Sequence, residues 1–171
     1  IDNPDVYLNT NILGTFNVIK IANITGVKHL IIGSSSSVYG ANKKIPFQEI
    51  DRTDHQVSFY AATKKSTESL AHSYSSLWDL PITMLRFFTV YGPFGRPDMS
   101  YFKFTNSILS DNTISLSNRG ANIRDFTFID DVVDAIWQVF CQEKKEIFSL
   151  YNVGGENPKS IIPVSYTHLR A

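Results

Sequence analysis

Residues 28–40 read KHLIIGSSSSVYG, a short apolar run that passes directly into four consecutive serines. A continuous apolar run such as residues 30–32 is typical of a parallel strand that is covered on both faces of its sheet. In open α/β sheets, ligands bind outside the carboxyl ends of the strands. The stretch therefore predicts a buried strand whose polar end belongs to a binding site.

Helical and extended patterns alternate on either side of this strand. Apolar residues at helical spacing, Leu8, Ile12, Phe16 and Ile19, predict a helix that Gly26 ends. A helix at residues 59–78 and a strand at 82–90 follow the serines. Later patterns predict a helix at 102–109, strands at 114–116, 124–129 and 150–155, and a helix at 132–140 capped by Asp130 or Asp131. The alternation predicts an α/β fold with a mostly parallel sheet.

The composition excludes several classes of protein. Lys plus Arg equals Asp plus Glu, at 16 each among 171 residues, so no net charge favours nucleic acid or an anionic membrane as a partner. No apolar run approaches the roughly 20 residues of a membrane-spanning helix. The single cysteine, Cys141, leaves no internal disulfide and fits a reducing compartment. We therefore expect a globular, cytoplasmic protein.

The sequence YAATK places Tyr60 and Lys64 one helical turn apart, on the same face of the predicted helix. A free tyrosine has a pKa of about 10, too high for a base at neutral pH. A nearby ammonium group favours the phenolate, and a tyrosine so placed becomes a plausible general base. A serine at the strand end then hydrogen-bonds the substrate oxygen that loses its proton. The alternative is an ordinary amphipathic helix in which this spacing arises by chance.

Three other motifs accompany YAATK in a consistent order: GSSSSVYG upstream, and LRFFTVYGP and RDFTFIDD downstream. Together they resemble the extended short-chain dehydrogenase/reductase family of NAD-dependent sugar-nucleotide epimerases and dehydratases. The resemblance covers residues 1 to about 160. It implies a doubly wound Rossmann-type parallel sheet with the start of a small substrate-binding lobe. It also implies NAD as the cofactor and a UDP-sugar as the substrate.

The resemblance assigns roles to individual residues. It makes Ser35, Tyr60 and Lys64 the catalytic residues, and it places Asn11 and Phe87 beside Tyr60 and Lys64 at the cofactor. For Asn11, a polar residue on a helix face is an equally good interpretation. The remaining serines, Ser34 among them, are expected to form hydrogen bonds within the loop.

The loop RFFTVYGPFGRPDM, residues 86–99, is similar to that of the UDP-glucuronate 4-epimerases of this family. Dehydratases of the family carry Asp-Glu where this chain has Ser36-Ser37, and decarboxylases carry Glu at the second position. The resemblance implies that these two serines contact the sugar. It further implies sugar contacts for Thr89 and Arg96. Contacts to the nucleotide are implied for Lys103 and, at its diphosphate, for Arg124. The alternative for Arg96 is a solvated loop charge, and for Arg124 a surface ion pair with Asp125 or Asp130.

The sequence departs from the family in one respect: it contains no GxxGxxG phosphate-binding turn. We therefore expect residues 1–160 to be part of a longer epimerase domain, lacking its first strands, with 161–171 a non-native or disordered tail. The resemblance implies a homodimer for the whole protein. Alternatives within the family are a UDP-glucose 4-epimerase, a UDP-glucuronate decarboxylase or another epimerase or dehydratase. A cofactor-sensing protein without catalysis is an alternative of a different class.

Overall fold

The structure is a computed structural model that describes residues 3–114, 116, 123–143 and 146–162. The chain forms two compact units, Ile1–Phe87 with Trp137–Asn152 and Phe88–Ile136 with Val153–Ala171. Residues 163–171 of the predicted tail lie outside the described residues, as does Ser115 of the strand predicted at 114–116.

Helices and strands alternate along the described chain, and the predicted α/β class is confirmed. The helices are α1 (Pro4–Tyr7), α2 (Gly14–Ile24), α3 (Phe59–Trp78), α4 (Ser100–Leu109) and α5 (Ile129–Cys141), with a π-helical stretch, Leu8–Leu13, joining α1 to α2. The strands are β1 (Leu30–Ser35), β2 (Ile82–Phe87), β3 (Thr89–Tyr91), β4 (Ile123–Phe128), β5 (Phe148–Val153) and β6 (Pro158–Ser160). Among the described residues, no helix is long and apolar enough to cross a membrane.

The first unit contains a three-stranded sheet in the order β1-β2-β5. β1 and β2 run parallel, with Leu30 opposite Ile82 and Ser35 opposite Phe87. The central strand, β2, is buried at five of its six residues. Parallel strands end at the same edge of a sheet, so this register brings the serines of β1 and the end of β2 together.

The core of the first unit joins α2 and α3 to β2. Its buried cluster consists of Ile19, Ala22, Ala71, Leu80, Ile82 and Met84, each at most 5% exposed. Burial of each large aliphatic side chain contributes about 1.5–3 kcal/mol to folding. These contacts hold α3, which carries the predicted tyrosine and lysine, against the sheet.

Helix α3 spans the predicted residues, 59–78, and its ends explain why. The Ser58 hydroxyl accepts a hydrogen bond from the Ala61 N–H at 3.1 Å and so caps the first turn. At the other end, Asp79 adopts a left-handed conformation, with φ of 51°, two residues before Pro81. Both signals are local, which is why the sequence predicts this helix accurately.

The single strand predicted at residues 82–90 is wrong, because the chain changes sheets at Phe88. β2 pairs with β1, whereas β3 begins at Thr89 and runs parallel to β4. The backbone N–H of Phe88 donates to the carbonyl of Val153 at 3.2 Å. Both segments are extended and apolar, so the sequence pattern does not reveal the break.

The second unit contains a three-stranded sheet in the order β3-β4-β6, with β6 antiparallel to β4. Helix α5 follows β4 without a break and begins at Ile129. The prediction that Asp130 or Asp131 caps this helix is therefore wrong. Both carboxylates lie in its first turn, where they interact favourably with the positive end of the helix dipole.

Candidate active site

The serine-rich segment continues β1 before it turns. The sequence predicts a loop from Gly33 onward, but Gly33, Ser34 and Ser35 belong to the strand, and a 3-10 helix, Ser36–Tyr39, follows. The Ser35 hydroxyl accepts a hydrogen bond from the Ser37 N–H and donates to the Ser37 hydroxyl, both at 3.2 Å. Ser35 is half-buried and lies at the edge of the sheet where the strand ends.

A glycine is required where this turn ends. Gly40 has a φ of +56°, and a Cβ atom there would collide with the backbone carbonyl of His55. The Gly40 N–H donates to the Ser37 carbonyl at 3.1 Å. The serine turn, residues 35–40, is therefore closed by its own hydrogen bonds and by close packing against the following loop.

Lys64 connects helix α3 to the serine strand. Its ammonium group donates a hydrogen bond to the Gly33 carbonyl at 2.9 Å, two residues before Ser35. Burial lowers the pKa of Lys64, because the charged form loses solvent. The first turn of α3 is thus fixed at the carboxyl end of β1.

Tyr60 lies one turn before Lys64, at the start of α3, and is half-buried. Its ring meets that of Tyr7 edge to face, with the centroids 6.0 Å apart. Since residues four apart share a helix face, Tyr60 and Lys64 lie on the same side of α3. The structure therefore places the predicted tyrosine and lysine on the face of α3 that is joined to the serine strand.

Asn11 lies in the π-helical stretch and contacts the same turn of α3. Its amide donates to the Thr63 hydroxyl at 3.0 Å, and that hydroxyl donates to the Tyr60 carbonyl at 2.8 Å. Single π-helical turns occur frequently at functional sites. Asn11 is thus a half-buried residue joined to the turn that carries Tyr60.

Phe87 ends β2 directly opposite Ser35. A Cβ atom on Gly33 would lie 3.1 Å from the Phe87 ring, so the ring covers Gly33 closely. The first unit therefore brings five predicted site residues to one edge of its sheet: Ser35, Tyr60, Lys64, Asn11 and Phe87.

The structure contains a buried ion pair beside the serines that the sequence analysis does not predict. Arg86 donates to the two carboxylate oxygens of Glu68 at 2.8 and 2.9 Å, and the Ser34 hydroxyl donates to the same carboxylate at 2.7 Å. Both charged side chains are 3% exposed. Burial alone would raise the pKa of Glu68, but the hydrogen bonds from Arg86 and Ser34 outweigh it and hold this pKa low. Burial likewise opposes the charge on Arg86, yet the Glu68 carboxylate raises the Arg86 pKa.

Tyr39 joins this network to the far end of the serine turn. The Arg86 guanidinium lies over its ring, 4.7 Å from the centroid, and its hydroxyl donates to Asn152 Oδ1 at 2.6 Å. The ring stacks on Phe47 with the centroids 4.4 Å apart. Burial raises the pKa of Tyr39, so its hydroxyl stays protonated and acts as a donor. A signal for this network does exist in the sequence: an arginine within a buried apolar strand needs a partner.

Four of the other predicted site residues lie in the second unit. Thr89 is half-buried in β3, and Lys103 is exposed on α4. Arg96 is exposed and pairs with Asp98, its Nε 2.5 Å from the carboxylate. Arg124 is exposed and donates to the Ile123 carbonyl at 3.2 Å. Ser36 and Ser37 belong to the first unit, where Ser36 is half-buried and Ser37 exposed.

Asp125 is a further residue that sequence reasoning missed. Its two carboxylate oxygens accept hydrogen bonds from the backbone N–H groups of Gly155 and Glu156, each at 3.1 Å. The carboxylate therefore shapes the turn that follows β5.

Comparisons with known proteins identify the family. The model of the NAD dependent epimerase/dehydratase family matches residues 1–154. A probable UDP-glucuronate 4-epimerase of Rhizobium meliloti is 50% identical over 136 residues, which cover 80% of this chain and 40% of that protein. UDP-glucuronate 4-epimerase 5 of Arabidopsis thaliana is 43% identical over 95% of this chain and 40% of its own length.

A solved structure shows the same relationship. The UDP-glucuronic acid 4-epimerase of Bacillus cereus, crystallised in complex with UDP-glucuronic acid and NAD, superimposes with a TM-score of 0.86 at 31% identity, over 94% of this chain and 51% of that one. The present chain thus spans about two fifths of these curated relatives and about half of the solved protein. The match of the family model over most of the sequence, together with the serine strand and the tyrosine–lysine helix, shows that the chain belongs to the NAD-dependent epimerase/dehydratase family.

Proposed function

We propose that the whole protein is an NAD-dependent nucleotide-sugar 4-epimerase that interconverts UDP-glucuronate and UDP-galacturonate. One observation carries the proposal: the Lys64 ammonium is bound to the Gly33 carbonyl, which fixes the helix face of Tyr60 and Lys64 beside the end of the Ser35 strand. A polar loop followed by an ordinary amphipathic helix would not need this half-buried, partly desolvated lysine. The names of its relatives support the choice of reaction.

In the proposed reaction, Tyr60 removes the proton from the C4 hydroxyl of the sugar. Ser35 donates a hydrogen bond to that oxygen and orients it, while the nearby Lys64 ammonium stabilises the tyrosinate through its charge. The resulting 4-keto sugar rotates within the site, and it is then reduced on its other face. For a uronic acid this intermediate is a β-keto acid, so the protein must also hold the carboxylate where loss of CO2 is slow.

The residues present suit the nicotinamide half of NAD. The Lys64 ammonium has three N–H donors and gives one of them to Gly33, and we propose that the others bind ribose hydroxyls. We propose that Tyr60, Phe87 and Asn11 complete this side of the cofactor site. When bound, NAD would accept the hydride of C4 and return it. The sequence supplies no glycine-rich cradle for the diphosphate of NAD.

For the uronate, we propose Arg96 and Thr89 as the residues that bind the sugar carboxylate. A guanidinium pairs with a carboxylate through two parallel hydrogen bonds. Arg96 already forms an ion pair with Asp98 through its Nε, and since both side chains are exposed, a substrate carboxylate can replace Asp98 at little energetic cost. Ser36 and Ser37 are proposed to contact the sugar, and Lys103 and Arg124 the nucleotide and its diphosphate.

The competing members of the family differ at the serine turn. Elimination of water requires acidic side chains near the sugar, and Ser36-Ser37 supply none, which disfavours a dehydratase. The same residues disfavour a decarboxylase. The substrate of a UDP-glucose 4-epimerase differs from UDP-glucuronate only in the group at C5 of the sugar. Arg96 is therefore the residue that favours the uronate as substrate.

We also propose that the whole protein pairs as a homodimer through the helices near Asn11 and Tyr60. A groove of about 530 Å³ lies along them and is lined by Ile12, Ala62 and Leu70 with three serines, Gln56 and Lys65. Small residues on helix faces permit close packing of a second pair of helices. Light scattering from the whole protein would test this, and the mass of a single chain would refute it.

The activity is tested by incubating the whole protein with UDP-glucuronate and NAD and following the sugar by proton NMR. UDP-galacturonate should form, and Tyr60→Phe should slow its formation by about 100-fold or more. Tyr74→Phe, on the same helix, is the matched control and should change little. CO2 with a pentose product would establish a decarboxylase. Conversion of UDP-glucose alone would establish a neutral-sugar epimerase, and cofactor binding without turnover a sensing protein.

A further inference from the structure

Three residues of α3 form a stripe toward β1. Tyr60, Lys64 and Glu68 are spaced four residues apart and lie on one helix face. Lys64 binds the Gly33 carbonyl at 2.9 Å, and Glu68 accepts from the Ser34 hydroxyl at 2.7 Å. Two successive turns of the helix therefore hold the two residues that immediately precede Ser35.

Arg86 fixes Glu68 in this position. It lies opposite Ser34 in the pairing of β1 with β2, so the ion pair ties both strands to the helix. Its two hydrogen bonds to Glu68 occupy both carboxylate oxygens, at 2.8 and 2.9 Å. A bidentate pair of this kind restrains orientation as well as distance. The Glu68 carboxylate is thus held by Arg86 and Ser34, with the Lys65 ammonium a further 3.5 Å contact.

The same guanidinium restrains the far end of the serine turn. It lies over the Tyr39 ring at 4.7 Å, and Tyr39 is held in turn by its hydrogen bond to Asn152 and by stacking on Phe47. Ser35, Ser36 and Ser37 therefore lie between two anchors, Ser34 and Tyr39, that both depend on Arg86.

We propose that Glu68 and Arg86 are positioning residues that hold the serine turn in the geometry that Ser35 requires for catalysis. The inference rests on the proposed function, since it assigns Ser35 its task there. Neither residue acts on the substrate, and both act through Ser34 and Tyr39. Displacement of a catalytic group by about 1 Å can reduce the rate by about 100-fold, so a small loosening of the turn has a large effect.

The test compares Glu68→Gln and Ser34→Ala with wild type in the whole protein. Glu68→Gln removes the charge and one of the hydrogen bonds to Arg86, and Ser34→Ala removes only the link from the pair to β1. The control, Ile19→Val, lowers stability through the core of the same unit without touching the network. Two readouts are used: kcat against KM for the UDP-sugar, and hydrogen exchange of the Ser37 and Gly40 amides, which are hydrogen-bonded within the turn.

Glu68→Gln should lower kcat by about 100-fold with little change in KM, and Ser34→Ala should lower it less. Both should speed amide exchange in the turn more than Ile19→Val does. The proposal would be overturned if amide exchange and kcat in both variants changed only as much as the loss of overall stability explains, as in the control. If the wild-type protein converts no UDP-sugar, the proposed function fails, while the exchange comparison still decides whether the pair holds the turn.

Discussion

Replacement of Arg86 by Met should destabilise the protein by about 3–5 kcal/mol, because it leaves a buried carboxylate without its main partner. Arg86 supplies both ion-pair hydrogen bonds to Glu68, and each side chain is only 3% exposed. Of the described partners of Glu68, the Ser34 hydroxyl at 2.7 Å and the partly exposed Lys65 ammonium at 3.5 Å would remain. A loss of this size is a large fraction of the roughly 5–15 kcal/mol that stabilises a typical domain.

The destabilisation should depend on pH. In the wild-type protein the hydrogen bonds from Arg86 and Ser34 overcome burial and lower the pKa of Glu68. Its stabilisation is therefore present above the unfolded pKa of about 4.3 and is lost as the pH falls through the folded value. In Arg86→Met burial dominates and the folded pKa of Glu68 rises above the unfolded one. The deficit is then greatest at neutral pH and shrinks as the carboxylate becomes protonated, toward about pH 5.

The assay is urea unfolding of the whole protein, followed by tryptophan fluorescence, at about pH 7.5 and about pH 5. Arg96→Met is the control, because it removes an ion pair with Asp98 in which both side chains are exposed, and it should change stability little at either pH. Equal deficits for Arg86→Met at the two pH values would refute the argument, since they would mean that no buried charge is left behind. A deficit no larger than that of the control would refute it as well.

Burial lowers the pKa of Lys64, so kcat/KM should decline on the alkaline side at a pH below the roughly 10.4 of free lysine; a flat profile through that pH would contradict a charged Lys64. Arg96→Ala should reduce kcat/KM for UDP-glucuronate by about 10- to 100-fold more than for UDP-glucose, and equal losses would exclude carboxylate binding. Gly40→Ala should cost about 1 kcal/mol or more, because of the φ of +56° and the collision with His55; an unchanged Tm would contradict this.

The features that sequence predicts well depend on residues close together in the chain. The bounds of α3 follow from the Ser58 cap and from Pro81, and the shared face of Tyr60 and Lys64 follows from helical spacing alone. The strand of residues 30–32 is equally local, although it extends to Ser35. Motif recognition then supplies the family, which the match over residues 1–154 confirms.

The features that sequence misses depend on pairing between distant segments. Glu68 and Arg86 are 18 residues apart, and the sequence around either residue does not identify the other as its partner. The sequence does not reveal the change of sheets at Phe88, because the strands on both sides of it are extended and apolar. The sheet that each strand joins is set by its pairing partner, β1 for β2 and β4 for β3. In the same way, the π-helical stretch that contains Asn11 has no counterpart in the apolar spacing of that helix.

A double replacement, Glu68→Leu with Arg86→Met, separates stability from positioning. Apolar residues of similar volume often match a buried ion pair in stability, since the pair loses its solvation on folding. The double variant should therefore recover much of the stability that Arg86→Met loses alone. It restores neither the hydrogen bond to Ser34 nor the cation over Tyr39, so the turn should remain loose and kcat low. If the double variant were both stable and fully active, the ion pair would contribute to packing alone; if stable and slow, its retention in the core is explained by the placement of Ser35.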